Sequence, residues 1–239
     1  MSITIRSAQT IKGGLTLQGS DTFNRGLILC LDATNPASYP GSGTTWYDLS
    51  SNGYNATLYN GASFDNTHTL GAINFDYNSS QYAALASNNM FNGNFSAVGW
   101  IYVRSYPSWS RMFDFGNGPG SNDVLVAVTE GGNGLPVYST VGSDNIVSTS
   151  QVTPLNQWTQ LAVTQSGSIG SLYVNGVVVA SGTNIPIASV TRDNNYIGRS
   201  NYPSDSYLDG EISQLRMYNR ALSSSEILAD YNTMMGRLG

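Results

Sequence analysis

The sequence predicts an all-β fold, two antiparallel sheets packed as a sandwich, with one short helix near the C-terminus. Three observations predict it. From about Phe23 onward, short apolar runs recur between closely spaced turn residues, the mark of a many-stranded sandwich. In Leu172-Tyr-Val-Asn-Gly-Val-Val-Val-Ala-Ser-Gly182, two strands are joined by Asn175-Gly176, residues that tolerate the positive φ of a type I′ hairpin turn. The one credible helical pattern follows Ser223-x-x-Glu226, a capping box.

Taken in order, residues 1–22 stand apart. Ile3 and Ile5, then Ile11, then Leu15 and Leu17 alternate with polar residues around Gly13-Gly14, which reads as short strands about a tight turn. They offer too little apolar surface for a core, so the segment is read as a β-rich docking arm. Residues 23–239 are read as the sandwich. Gly26-Leu-Ile-Leu-Cys-Leu31 opens it, and Cys30, the sole cysteine of the 239 residues, is expected there as a small buried hydrophobe. Phe95–Val103 is apolar on both alternating sets, as for a strand buried on both faces. Asp123–Thr129 reads as a central strand, and Trp158–Gln165 alternates with Leu161 and Val163 on one side. In the last strand Leu215 and Met217 share a face with Ser213 while Ile212 is out of phase, so a bulge is expected near Ser213. Ile227, Leu228, Tyr231 and Met235 follow at helical spacing, and the helix is expected to end at Met235-Gly236 with Gly236 as a left-handed cap.

Charge is sparse. Asp, Glu, Lys and Arg make up 10% of the chain, against roughly 25% in typical globular proteins. Gly, Ser, Asn, Thr and Tyr carry the polarity, which suits contact with water, sugars or other subunits. A net charge of −5 and the absence of a basic run argue against a nucleic-acid partner. No stretch approaches the roughly 20 apolar residues of a membrane helix, and Met1–Ala8 lacks the apolar core of a signal peptide. Neither membrane insertion nor export by a visible signal is expected.

Catalytic signatures are few. A retaining glycosidase needs two carboxylates about 5–5.5 Å apart, yet the only glutamates are Glu130, at a glycine turn, Glu211, and Glu226, in the capping box. Asp209 and Glu211 alone have alternate-residue spacing on a strand. The one histidine, His68, lies in Asp65-Asn-Thr-His-Thr and is expected to face solvent. No G-x-S-x-G elbow exists, and the glycine clusters at 116–120 and 131–134 precede no helix, so they are loops rather than phosphate cradles. For binding, aromatic rings in polar loops matter, because a flat ring stacks on the apolar face of a sugar. Trp109, with Tyr106 and Arg111, is the first candidate in Tyr106-Pro-Ser-Trp-Ser-Arg111; Tyr202 and Tyr207 are the second. The same rings could instead cover sheet edges or pack on neighbouring subunits. Trp46, Trp100 and Trp158 are read as core.

Several segments together resemble the concanavalin A-like lectin/glucanase superfamily, in its laminin-G-like jelly-roll branch. They are Gly26–Asp32, Trp46–Leu58, Ile73-Asn-Phe-Asp-Tyr77, Phe95–Ile101, Leu155–Ala162, Leu172–Val177, Tyr196-Ile-Gly198 and Tyr218-Asn-Arg-Ala-Leu-Ser223. The resemblance implies a jelly-roll sandwich, and it places Asp209 and Glu211 in a solvated turn rather than a cleft, so no enzyme is expected. Relatives often hold calcium through an Asp in the terminal strand plus main-chain oxygens. Here Ser213 and Gln214 stand where members commonly show Asp and Glu, leaving Asp48 with Asn52, or Asp205 with Asp209, as fallback ligands for a structural calcium. The runs Leu31–Leu49 and Tyr231–Gly239 resemble the version found in tailed-phage and environmental viral structural proteins. That implies a non-enzymatic virion surface protein, a capsid decoration, head fibre or tail-associated component made in the host cytoplasm. Its arm would dock on capsid, tail or sister subunits, and its loops would present an adhesion surface for cell-surface glycans. A cellular lectin-like glycan-binding module and a glycoside hydrolase of the same fold are the alternatives.

Overall fold

The computed structural model describes residues 24–141, 144–150 and 152–238. The docking arm, with Ile3, Ile5, Ile11, Leu15 and Leu17, lies outside the described residues. Two eight-stranded antiparallel sheets pack face to face. The first runs β14 (Val177–Thr183), β13 (Ile169–Val174), β12 (Trp158–Ser166), β7 (Phe95–Val103), β16 (Gly210–Tyr218), β5 (Ala72–Phe75) and β4 (Ser63–Asp65), with β1 (Leu27–Asp32) also on β16. The second runs β11 (Asp144–Val147), β10 (Val137–Thr140), β9 (Val124–Ala127), β8 (Arg111–Gly116), β15 (Asn194–Ile197), β6 (Tyr82–Leu85), β3 (Ala56–Tyr59) and β2 (Thr45–Trp46).

Alternation along each strand builds the core between the sheets. Ala97, Ile101 and Val103 from β7, Leu161 and Val163 from β12, and Leu215 and Met217 from β16 meet Phe113 and Phe115 of β8 and Val124 and Val126 of β9. Phe95 and Phe113 touch edge to face at 6.4 Å between centroids. The other set of β7 side chains is buried too, because helix α1 (Ser224–Leu238) covers the outer face of the first sheet. Val98 packs with Ile227, Tyr173 and Tyr218, and Trp100 packs with Met234. The helix therefore buries Ile227, Asp230 and Met234, a stripe at helical spacing.

The bulge lies where the phase break put it. Register shifts between Ile212 and Gln214, and at that point β16 changes neighbour. Gly210–Ile212 pair with β5, whereas Gln214–Tyr218 pair with β1. Asn175 (φ 51°) and Gly176 (φ 79°) form the hairpin turn between β13 and β14. Ser223 and Glu226 close the capping box: Glu226 Oε2 accepts from the Ser223 amide at 2.8 Å, and Ser223 Oγ accepts from the Glu226 amide at 3.3 Å.

Three expectations change. The helix continues through Gly236 to Leu238, since α1 extends over Ser224–Leu238 and Gly236 does not take a positive φ. Cys30 is half-buried rather than fully buried, and burial pushes its thiol up to about 11, so it stays protonated. Trp46 and Trp100 are wholly buried, while Trp158 is only partly so, lying at the margin of the cluster under the helix.

Candidate functional site

The outer face of the second sheet is built by residues that alternate with the core set. Leu58, Ala83, Ile197, Phe113 and Phe115 point inward, so Tyr59, Tyr82, Tyr196 and Asp114 point outward. Register aligns them: Tyr59 opposes Tyr82, and Ala84, Tyr196, Asp114, Leu125 and Ser139 form a continuous row across β6, β15, β8, β9 and β10. Tyr59 stacks on Tyr82 with centroids 4.7 Å apart and planes 8° from parallel. Tyr196 meets Tyr82 edge-on at 5.8 Å, and Tyr207 leans toward it at 6.0 Å. Arg199 occupies the corner, its guanidinium carbon 4.3 Å from the Tyr196 centroid and 4.8 Å from that of Tyr82. Tyr59 is 41% exposed, and the other members are half-buried. The result is an open aromatic surface with one cation in it.

Beside it the 199–207 loop folds over the sheet. The loop is clamped at its base, where Leu208 donates to the Gly198 carbonyl at 2.9 Å, and further along, where Ser206 donates to Ser108 at 3.0 Å. Under the loop Asp114 is fully buried. It accepts from Ser200 Oγ at 3.2 Å, from the Asn201 amide at 2.9 Å and from Asn201 Nδ2 at 2.8 Å. Arg111 approaches it at 3.6 Å and pairs with Asp205 at 2.6 Å. Asp123, also fully buried, accepts from the Gly120 amide through Oδ2, while its Oδ1 has no hydrogen-bond partner. Burial, with Asp114 adding repulsion, raises the Asp123 carboxyl to about 6. Burial and the neighbouring Asp123 raise the Tyr202 hydroxyl to about 12.

Of the five sequence-selected binding residues, only Tyr207 belongs to the open aromatic surface. Arg111 is 3% exposed and committed to ion pairs. Trp109 is partly buried against Arg111, at 5.3 Å, in a turn where Ser110 donates to the Pro107 carbonyl. Its φ of 56° is a conformation that bulky residues avoid. The Tyr106 hydroxyl donates to the Thr153 carbonyl, and its ring packs on the core and on Gly134. Tyr202 lies half-buried against Gly120 and Asp123. Tyr59, Tyr82, Tyr196 and Arg199 went unselected. Tyr59 and Tyr82 had a usable signal, an outward-phase tyrosine in a strand, but their meeting depends on register.

A second cluster overturns the solvated-turn expectation for Glu211. This residue lies inside β16 and is 1% exposed, with His68 Nδ1 at 3.0 Å and Arg104 Nη1 at 3.2 Å. Asp209 pairs with the same arginine at 3.0 Å. His68 is half-exposed but not free, because its loop folds back over the sheet. Its ring stacks on Tyr102 at 4.2 Å, and its carbonyl accepts from Trp158 Nε1 at 3.1 Å. Burial raises the Glu211 carboxyl, and the neighbouring His68 opposes that shift. Asp65, His68 and Glu211 bring ligand atoms within 4.8 Å of one another. The Arg104 guanidinium already supplies the positive charge there, so the group reads as an ion-pair network. Next to it a cleft of about 480 Å³ opens between Tyr39, Phe64, Asn66, Thr69 and Arg237.

At the position expected for calcium, Ser213 and Gln214 make hydrogen bonds within the protein. Gln214 Nε2 donates to Asp32 Oδ2 at 2.8 Å, and Ser213 Oγ donates to the Gly71 carbonyl at 2.9 Å. The Gln214 carbonyl oxygen, Oε1, is buried without a hydrogen-bond partner. At Asp48 both oxygens are taken, by the amides of Cys30, Ser50 and Tyr54 and by the Ser50 hydroxyl. Asn52 donates to the Ile28 carbonyl rather than facing Asp48 as a ligand. Asp205 and Asp209 are bound to different arginines.

A family profile described as concanavalin A-like lectin/glucanases superfamily matches residues 76–228. A comparison with curated proteins gives no match. Among solved structures, the chain is similar to domain 4 of AbnA, a GH43 extracellular arabinanase from Geobacillus stearothermophilus, in complex with arabinotriose. The TM-score is 0.68 at 19% identity, over 85% of this chain and 97% of that one. It is also similar to the binding domain of Paraclostridial Mosquitocidal Protein 1, with TM-score 0.64 and 16% identity over 89% of this chain and 53% of that one. Trypanosoma rangeli sialidase in complex with sialic acid gives TM-score 0.64 and 18% identity over 89% and 33%. The chain thus spans nearly all of the first, about half of the second and a third of the third. At these identities the likeness is one of fold.

Proposed function

The chain belongs to the concanavalin A-like lectin/glucanase superfamily, and on that premise we propose that it is a non-enzymatic glycan-binding module whose saccharide lies on the surface made by Tyr59, Tyr82, Tyr196 and Tyr207. The observation that carries this is the exposed, nearly parallel Tyr59–Tyr82 stack on the outer face of a sheet. Aromatic rings bury large apolar area with few rotors to immobilise, and their hydroxyls remain to meet sugar hydroxyls. Binding rather than hydrolysis is supported by the carboxylates nearby. Asp114 and Asp123 are fully buried, whereas a retaining pair must reach the glycosidic bond from both sides. The AbnA domain carries arabinotriose in its complex, which makes an oligosaccharide a reasonable first probe.

A glycan array tests the reading. Tyr59→Ala should lower affinity for the best-bound glycan about 10-fold or more with an unchanged melting temperature, since one base- or ring-sized stacking partner carries about 1–3 kcal/mol. Trp109→Ala should leave affinity within about 2-fold, because that ring braces Arg111. Equal binding by Tyr59→Ala and the parent would refute the site, and sustained cleavage of a β-glucan would refute the non-enzymatic assignment.

The location we propose is a virion surface, with residues 1–22 as the docking arm. Support comes from the resemblance of Leu31–Leu49 and Tyr231–Gly239 to viral structural proteins. Deleting residues 1–22 should abolish particle association and leave the sandwich folded. A truncated protein that still joins particles would end the docking-arm reading, and absence of the full-length protein from particles would favour a cellular lectin-like module.

A further inference from the structure

We propose that the aromatic surface selects acidic saccharides, with Arg199 as the subsite for a carboxylate or sulfate group on the sugar. This rests on the glycan-binding reading above and deepens it.

Of the eight arginines among the described residues, four form ion pairs. Arg104 meets Asp209 and Glu211, Arg111 meets Asp114 and Asp205, Arg216 meets Asp230, and Arg220 meets Glu226. Arg192 is 1% exposed and donates to the carbonyls of Asn122, Ala188 and Val190. Arg199 differs from all five. Among the described residues it forms no ion pair, and where Arg25 and Arg237, which also form none, are exposed, it sits half-buried at the corner of the open aromatic surface against Tyr82 and Tyr196. In a chain with 10% charged residues and a net charge of −5, a positive group left without a carboxylate on a binding face is a specific feature.

Its surroundings fix the guanidinium without neutralising it. Tyr196 and Tyr82 hold it by cation–π contact at 4.3 and 4.8 Å. A guanidinium has five N–H donors in a rigid plane, and the ring contacts leave donors for a ligand. A planar, pre-fixed fork loses little entropy when it closes on a planar or tetrahedral oxyanion, and charge-assisted bonds of this kind are roughly twice as strong as neutral ones. Gly198 (φ 74°) sets the backbone direction just before it, and the amide of Leu208 closes back on the Gly198 carbonyl, so the base of the loop that carries Arg199 is tied to the sheet. A neutral sugar stacked on Tyr59 would leave the remaining donors to water. An acidic sugar would use them.

The competing account makes Arg199 a brace that only spaces Tyr82 from Tyr196. The two accounts separate on charge. Titration calorimetry with three oligosaccharides of matched length, neutral, uronic-acid and sulfated, at low and at physiological salt, decides between them. The expected result is that at least one acidic oligosaccharide binds about 10-fold tighter than the neutral one, that the margin narrows as salt rises, and that Arg199→Gln removes the margin while retaining neutral binding. Whichever of the carboxylate and sulfate probes binds better identifies the anion. Arg199→Lys should recover only part of the margin, because an ammonium lacks the fork. Equal binding of neutral and acidic probes by the parent protein, or an equal loss of both in Arg199→Gln, overturns the selectivity and leaves the aromatic surface standing. Binding of none of the three by the parent overturns both. If Arg199→Gln fails to fold, the parent's neutral-to-acidic ratio and its salt dependence still decide.

Discussion

Arg216 and Asp230 meet between the outer face of the first sheet and α1, and Gln160 adds a second donor to the same carboxylate at 2.8 Å. The Trp100 indole N–H points at it from 3.5 Å. A carboxylate this enclosed, 3% exposed, is held by its donors, and the arginine depends on it in turn. Asp230→Ala should therefore cost about 3–5 kcal/mol in urea denaturation, since it leaves a buried guanidinium without its carboxylate. A loss under 1 kcal/mol would mean water replaces the pair. Asp123 makes the opposite contribution. Its folded carboxyl titrates near 6 against 3.8 when free, so between these values the folded state holds a proton that the unfolded chain releases. Below about 4 both are protonated and the cost is absent; it grows as pH rises and is complete above 6. Asp123→Asn should flatten the fall in stability from pH 4 to 6 and gain about 2 kcal/mol at pH 7. An unchanged slope in melting temperature against pH would assign it elsewhere.

Among the elements, β16 does the most positioning. Its bulge at Ser213 lets Glu211 hold the 65–70 loop through His68, Ser213 hold Gly71, and Gln214 hold Asp32. Side-chain hydrogen bonds already tie this strand to its neighbours, so stripping divalent cations with EDTA should move the melting temperature by no more than about 1 °C; a large drop would show a bound metal. At the helix, Arg220 and the cap hold the Glu226 carboxyl down to about 2 from 4.5. That contribution is present above pH 4.5 and is lost as pH falls toward 2. For a pair at the surface, half-buried and screened by water, it should amount to about 1 kcal/mol, read as a flatter acid limb in Glu226→Gln. Features of this kind were legible where the cause is local. Asn175-Gly176, Ser223-x-x-Glu226 and the phase break at Ser213 each act within a few residues. The helix end was not, because α1 is held past Gly236 by Leu238 packing against the cluster of Leu70, Trp100 and Met234, which no capping rule sees. The His68–Glu211 pair joins positions 143 apart, and neither residue carries a local sign of the other.

For the molecule as a whole, the same distinction separates fold from site. Strand phase and turn chemistry, repeated along the chain, determine a sandwich. The aromatic surface draws on β3, β6, β15 and the loop after it, and it exists only once the register Tyr59–Tyr82 and Ala84–Tyr196 is set. Tyr196-Ile-Gly-Arg199 reads in sequence as a fold motif, yet its two polar ends are what face outward. Trp109 drew attention for its polar neighbours, and those neighbours turned out to be its packing partners. The pairing of β16 with β1 has a further consequence, in time rather than in space. Leu29 faces Met217, so β1 waits for almost the entire chain to be synthesised before it gains β16, its one partner in the sheet among the described residues. At about 5–20 residues per second of synthesis, that leaves β1 unpaired for roughly ten seconds or more. Folding should be slow for the chain's size and should complete in one late step, since non-local pairing of this kind places domains in the millisecond-to-second range. Chains stalled before residue 210 should be protease-sensitive throughout β1, β5 and β7, and those released beyond Tyr218 should become resistant in all three together.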